Sequence, residues 1–226
     1  MADKPIIFSA PMVRALLDGK KTQTRRIIKP QPGPAVTGCA VYVKNEVMTN
    51  NWMWLHGKPG CQTEAPAEAR LHLPFRAGDR LYVREAFWLC GECGHRNMCA
   101  DGVNYSGFPD RGCCSSCDEL LPRAKTSPIH MPRGASRITL TVSGVWVHRL
   151  QHILEVDARA EGVICDSDGW RDYQMPHTQC CATATDSYRT LWNSLHGPEA
   201  WDANPWVAAY SFTVQRGNID QIGGKA

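Results

Sequence analysis

Leu17-Asp18-Gly19-Lys20-Lys21-Thr22-Gln23-Thr24-Arg25-Arg26 joins the two kinds of element from which this chain is built. Before it, Ser9 is placed to cap a helix with Pro11 in its first turn, where a missing N–H costs little. Val13, Leu16 and Leu17 give that helix an apolar face. Gly19 stands where a left-handed residue ends a helix, and Lys20 and Lys21 suit the negative end of its dipole. Beyond it, Thr22 to Ile28 is rich in Thr and Ile and reads as a strand with Arg25 and Arg26 on different faces. Lysines, threonine hydroxyls and arginines thus gather just behind a helix end. Physically that is an anion-facing edge, although a solvated turn leading into a strand has the same composition.

Working outward, Ile6 to Phe8 reads as a short strand, and Pro30, Pro32 and Pro34 break regular structure. Short strands are expected at Cys39 to Val43 and Trp52 to Leu55 within an otherwise loop-like stretch. Gly78-Asp79 signals a turn before a strand from Arg80 to Leu89. Arg137 to Val142 alternates strictly, with Ile138, Leu140 and Val142 on one face, and Val145 to Val147 continues it or pairs with it across Ser143-Gly144. Asp157 to Glu161 suggests a short helix stopped by Gly162. Asp186 to Leu195 suggests a longer one, with Tyr188, Leu191, Trp192 and Leu195 at helical spacing. Between them lies a Cys- and Asp-rich loop. Trp206 to Val214 reads as a last strand, followed by a polar tail over 217–226 expected to be flexible. Many strands, few helices and no regular βαβ alternation give an α+β class, mainly β, as an antiparallel sheet or small barrel with peripheral helices. The expectation is one domain over 1–226 with an insertion at 90–117.

Bulk properties narrow the partners. Of 226 residues, 43% are apolar and 21% charged, which is enough apolar material for a core. A net charge of +3 is too small to announce nucleic-acid binding without clustering. No cationic start followed by an apolar run marks a secretory signal, and no stretch is long and apolar enough to span a bilayer. Eleven cysteines without an export signal suggest metal binding in a reducing cytoplasm rather than a disulfide framework.

Cys90-Gly-Glu-Cys93 and Cys114-Ser-Ser-Cys117 are two C-x2-C pairs at the edge of the spacing for a four-thiolate zinc site. Two intervening residues let both sulfurs reach one tetrahedral ion, and Gly94 permits the tight turn each knuckle needs. Cys113, Cys99 or His95 are alternative ligands. A closed thiolate shell keeps no position for water, so this zinc is expected to be structural and to brace the 90–117 insertion.

The segment on which the reading began resembles the ASCH family, whose members share a PUA-like β-barrel and a G-x-K-x-T-x-R type motif after the first helix. Gly19, Lys21, Thr24 and Arg26 or its neighbour carry the likeness. Gly78-Asp79-Arg80-Leu81-Tyr82-Val83 is similar to the family's Gly-Asp strand, and Asp157 to Gly162 looks like its later acidic helix. With Ser127 to Arg133 and Trp201 to Trp206, the whole resembles the larger ASCH proteins of bacteriophages and prophages. One branch of the family deacetylates N4-acetylcytidine with a lysine, a threonine and a glutamate, which the resemblance carries onto Lys21, Thr24 and Glu161. A second implication is an RNA or modified-nucleoside binding module gripping its ligand through Arg25, Arg26, Arg84, His130 and Arg133, with His130 the candidate acid or base of a ribonuclease-like reaction. A third is a phage protein that binds a host protein.

Overall fold

The computed structural model describes residues 3–32, 36–44, 47–56, 70–89, 96–98, 124–175 and 180–222. Cys90, Cys93, Cys114 and Cys117, with His95, Cys99 and Cys113, lie outside the described residues. In chain order the elements are β1 (Asp3–Ile7), α1 (Ala10–Leu17), β2 (Gln23–Ile27), β3 (Val36–Lys44), β4 (Val47–His56) and β5 (Arg70–Leu71). There follow β6 (Arg80–Arg84), β7 (Phe87–Leu89), β8 (Arg96–Met98), β9 (Ala124–Thr126) and β10 (Ile138–Arg149). The last third holds α2 (Glu155–Ala160), β11 (Cys165–Asp166), β12 (Gly169–Arg171), β13 (Cys180–Cys181), α3 (Ala184–His196) and β14 (Trp206–Arg216). The class is α+β and mainly strand. The chain divides into two compact units, and β10 and β14 each contribute residues to both.

The first unit comprises Met1–Gly19, Asp79–Thr141 and Thr213–Ala226. Here β1 runs parallel to β6, from Asp3 opposite Arg80 to Ile7 opposite Arg84, and β10 begins antiparallel to β6 with Thr139 opposite Tyr82. The strict alternation from Ile138 onward is realised: Ile138, Leu140 and Val142 are buried. Helix α1 buries Val13, Ala15 and Leu16 and ends at Gly19, whose φ of 70° is the left-handed conformation that favours glycine there. Arg216 Nη2 donates to the Leu17 carbonyl at 2.8 Å, satisfying one orphan acceptor of that helix end. The expected single strand from Arg80 to Leu89 breaks after Arg84. Past the break, β7 pairs antiparallel with β8 and with β9, where Leu89 lies opposite Ala124. That pairing brings both ends of the cysteine-bearing segment together.

Beyond β14, hydrogen bonds join Asn218 and Ile222 to other residues of the first unit. Asn218 Nδ2 donates to the carbonyls of Arg133 and Ser136 at 2.9 and 2.7 Å. Arg80 Nη1 donates to the Ile222 carbonyl at 2.7 Å, and Ile219 is completely buried.

The second unit comprises Lys20–Gly78 and Val142–Phe212. Strand β14 pairs antiparallel with β2, from Val207 opposite Ile27 to Ser211 opposite Gln23. Strands β3, β4 and β5 form one small sheet, and β11, β12 and β13 form another in the stretch read from sequence as loop. A core of Leu150, Ile153, Ala158, Val163, Tyr188, Trp192, Trp201 and Val207 seats α2 and α3. Of the predicted apolar face of α3, Tyr188 and Trp192 are buried, whereas Leu195 is 51% exposed. Glu155 of α2 caps α3: its carboxylate accepts from the N–H groups of Ala184 and Thr185 at 2.8 and 3.1 Å. A carboxylate at that helix N-terminus meets both orphan donors and the positive end of the dipole. Among the described residues no helix is long and apolar enough to cross a membrane.

Replacing Asn218 by Ala removes one amide that serves two carbonyls. Urea unfolding is expected to show a loss of about 1–3 kcal/mol, with an unchanged denaturant slope.

Candidate functional site

The turn after α1 does not leave Lys21 in solvent, as a basic edge would. Lys21 forms a backbone bridge with Glu161, immediately after α2, and Thr22 N–H donates to the Ala160 carbonyl at 2.8 Å. On its other side Phe212 N–H donates to the Thr22 carbonyl at 3.0 Å, so the entry to β2 is held between α2 and β14. This places the lysine inward, at 1% exposure. Its Nζ donates to the Glu161 carbonyl at 2.8 Å and to Glu161 Oε2 at 2.9 Å.

The other carboxylate oxygen is also held. Arg25 Nη1 donates to Glu161 Oε1 at 3.0 Å, and Arg25 Nη2 lies 3.2 Å from Asp157 Oδ2. Gln23 completes the set, accepting from Arg25 Nη1 at 2.9 Å and donating to Asp157 Oδ1 at 3.2 Å and Ser211 Oγ at 3.0 Å. Two cations, Lys21 and Arg25, therefore meet two carboxylates, Glu161 and Asp157. Burial of charge is tolerable only when it is paired and hydrogen-bonded in this way. Burial pulls the Lys21 ammonium below the ordinary lysine pKa, against the opposing pull of Glu161. It likewise lowers Arg26 and raises Tyr188 well above the usual tyrosine range.

Alternation along β2 separates the remaining motif residues. Gln23 and Arg25 share one face, while Thr24 and Arg26 share the other. Each face borders a cavity. On the Arg25 side, Gln23, Arg25, Trp146, His148, His152 and Asp157 line a space of about 430 Å³. On the Arg26 side, Arg26, Lys29, His72 and Tyr210 border one of about 220 Å³. Thr24 is 3% exposed and lies opposite Tyr210 in the β14 register.

Lys21, Arg25 and Glu161 are thus brought together, and Thr24 and Arg26 belong to the same unit. Arg84, His130 and Arg133 belong to the other unit. There Arg133 is engaged by carboxylates, its Nη2 donating to Asp3 Oδ2 at 2.6 Å and its Nε to Asp220 Oδ1 at 2.9 Å. Those hydrogen bonds raise its pKa further. Arg84 Nη1 donates to the Ile129 carbonyl at 3.1 Å, and His130 is exposed.

Sequence reading missed Gln23, Asp157, Trp146 and His148. Asp157 carried a signal: four residues before Glu161 on a helix, it falls on the same face. Trp146 and His148 continue the alternation of β10 past Val142, but nothing local says what that face meets.

Among the described residues no group of three or more His, Cys, Asp or Glu side chains is placed to hold a metal ion. Compared with known family models, characterised proteins and solved structures, the chain matches none.

Lys21→Met removes one of the two cations on Glu161, whose carboxylate keeps Arg25, and is expected to cost about 1–3 kcal/mol in urea unfolding. His148 supplies a pH signature. Burial first, and then the nearby Arg25 and His152, push its pKa down from 6.5 to about 4 against the pull of Asp157 and Glu161. Between these values the unfolded chain holds more protons than the folded one. The stability tied to a neutral His148 is therefore complete above about pH 6.5 and lost as the pH falls toward about 4. His148→Gln should flatten that acid limb of the stability profile.

Proposed function

We propose that this chain is a PUA-like, ASCH-type protein that acts on RNA or a modified nucleoside, and that it removes an acyl group from the amide nitrogen of a base such as N4-acetylcytosine. The observation that carries the reading is the wholly buried Lys21, whose amine burial biases toward its neutral, basic form and whose position Glu161 fixes from two sides. In the proposed reaction the neutral Lys21 amine takes the proton of the Thr24 hydroxyl as that oxygen attacks the acetyl carbonyl. The carbon–nitrogen bond breaks, the base leaves with the proton from Lys21 as its free amine, and water then hydrolyses the threonine ester to acetate. Glu161 orients the lysine and stabilises its ammonium form.

A binding role without chemistry is favoured by one observation: Thr24 lies on the face of β2 opposite Gln23 and Arg25, whose guanidinium shares the Glu161 carboxylate with Lys21. In that case the ion pair holds the fold and the cavity does the work.

Metal enters as structure rather than chemistry. The pairing of β7 with β9 closes the base of the segment carrying Cys90, Cys93, Cys114 and Cys117, and we propose that these four thiolates take zinc in a reducing cytoplasm. Metal analysis of reduced protein should give about one zinc per chain.

Incubation of the protein with N4-acetylcytidine is expected to release cytidine and acetate. Thr24→Val, which keeps the side-chain shape and spares the ion pair, should lower turnover at least about a hundredfold. Tight acetylcytidine binding with no acetate released would establish the binding role instead.

A further inference from the structure

The cavity on the Arg25 face of β2 has features that the deacylation reading does not use. Its volume, about 430 Å³, falls in the range of small-molecule sites. Two large apolar side chains at its lining are exposed: Trp146 at 51% and Leu154 at 64%. An indole left half in water beside a cavity keeps part of its ring surface open to a flat ligand.

Trp146 is also held in place by its own strand. Gly144 lies two residues earlier on the same face of β10, and a Cβ there would stand 2.3 Å from Trp146 Cη2 and 2.8 Å from Cζ3. The absence of a side chain at 144 is what lets the ring lie back along the strand at the cavity's edge.

Two polar atoms of residues that line it are buried without a hydrogen-bond partner among the described residues: Arg25 Nε, a donor, and His148 Nε2. Buried polar atoms left unpaired are costly, and a ligand edge that pairs them recovers that cost. Their residues line the same cavity, with Gln23 and Asp157 beside them. The charges around it cancel. Of the groups that line it, Arg25 is matched by Asp157 and His148 is uncharged near neutral pH, so together they favour neither anion nor cation. A phosphate would find no spare positive charge here. A neutral ring with donors and acceptors along its rim meets every requirement.

We propose that this cavity is a binding site for an uncharged planar heteroaromatic ring, the base of a nucleoside, with Trp146 as its stacking platform and Arg25 Nε and His148 Nε2 reading its edge. The choice of a nucleoside among such rings rests on the functional reading above; the site itself does not.

Calorimetric titration of the full chain with adenosine, guanosine, cytidine and uridine tests it, because these bases carry no acyl group and heat rather than turnover is read. At least one should bind saturably, and its 5′-monophosphate should bind no tighter. Trp146→Leu and Gly144→Ala, which removes or displaces the ring, should each weaken binding by about five- to a hundredfold, whereas Trp146→Phe should stay within about threefold of the parent. Absence of binding by all four nucleosides, or parental affinity in both Trp146→Leu and Gly144→Ala, would overturn the site. So would a large gain in affinity from the phosphate. Nucleoside binding that persists without acetate release sinks the hydrolase reading alone, and acetate release from acetylcytidine without saturable binding of any of the four nucleosides sinks this site alone.

Discussion

A lysine and a glutamate, 140 residues apart in sequence, share a buried ion pair on which the second unit depends. Taking either charge out of water alone costs several kcal/mol, so neither side chain tolerates burial without the other. The pair ties the entry of β2 to the end of α2. Through Arg25 it reaches Asp157 one helical turn back, and through Gln23 it reaches Ser211 on β14. The helix is only six residues long and could not be stable by itself; its position is dictated by this network and by the core beneath it.

The same arrangement gives the site its electrical character. Arg25 and Asp157, which line the cavity, are paired with each other, so it is bordered by both signs of charge. The basic run in the sequence therefore reaches the surface only in part: Lys20 is exposed, whereas Lys21 and Arg25 are buried. Lys21 and Arg25 are spent on carboxylates, and Arg133, in the other unit, is spent on Asp3 and Asp220.

Much of the fold was legible because it rests on local rules. Gly19, Gly162 and Gly197 ended the three helices where expected, since only a glycine adopts their positive φ without strain. Ile138, Leu140 and Val142 announced β10 through period-two alternation. Less legible was the stretch between α2 and α3, where two- and three-residue strands are too short to show a period. The break between β6 and β7 was hidden as well. There Glu85 is buried against Arg137, a contact 52 residues away that overrides strand propensity.

For the site, sequence by itself determined which residue types stand at the α1–β2 junction, that Arg25 and Arg26 face opposite ways, and that an acidic residue follows a short helix. Those are consequences of periodicity and capping, and they need no partner. Only tertiary structure decided that Lys21 turns inward to Glu161, that Asp157 and Gln23 complete its charge balance, and that Trp146 and His148 border a cavity with Arg25. The physical reason is that pairing energy and burial belong to groups brought together by folding, and no single segment carries the information about what it will meet.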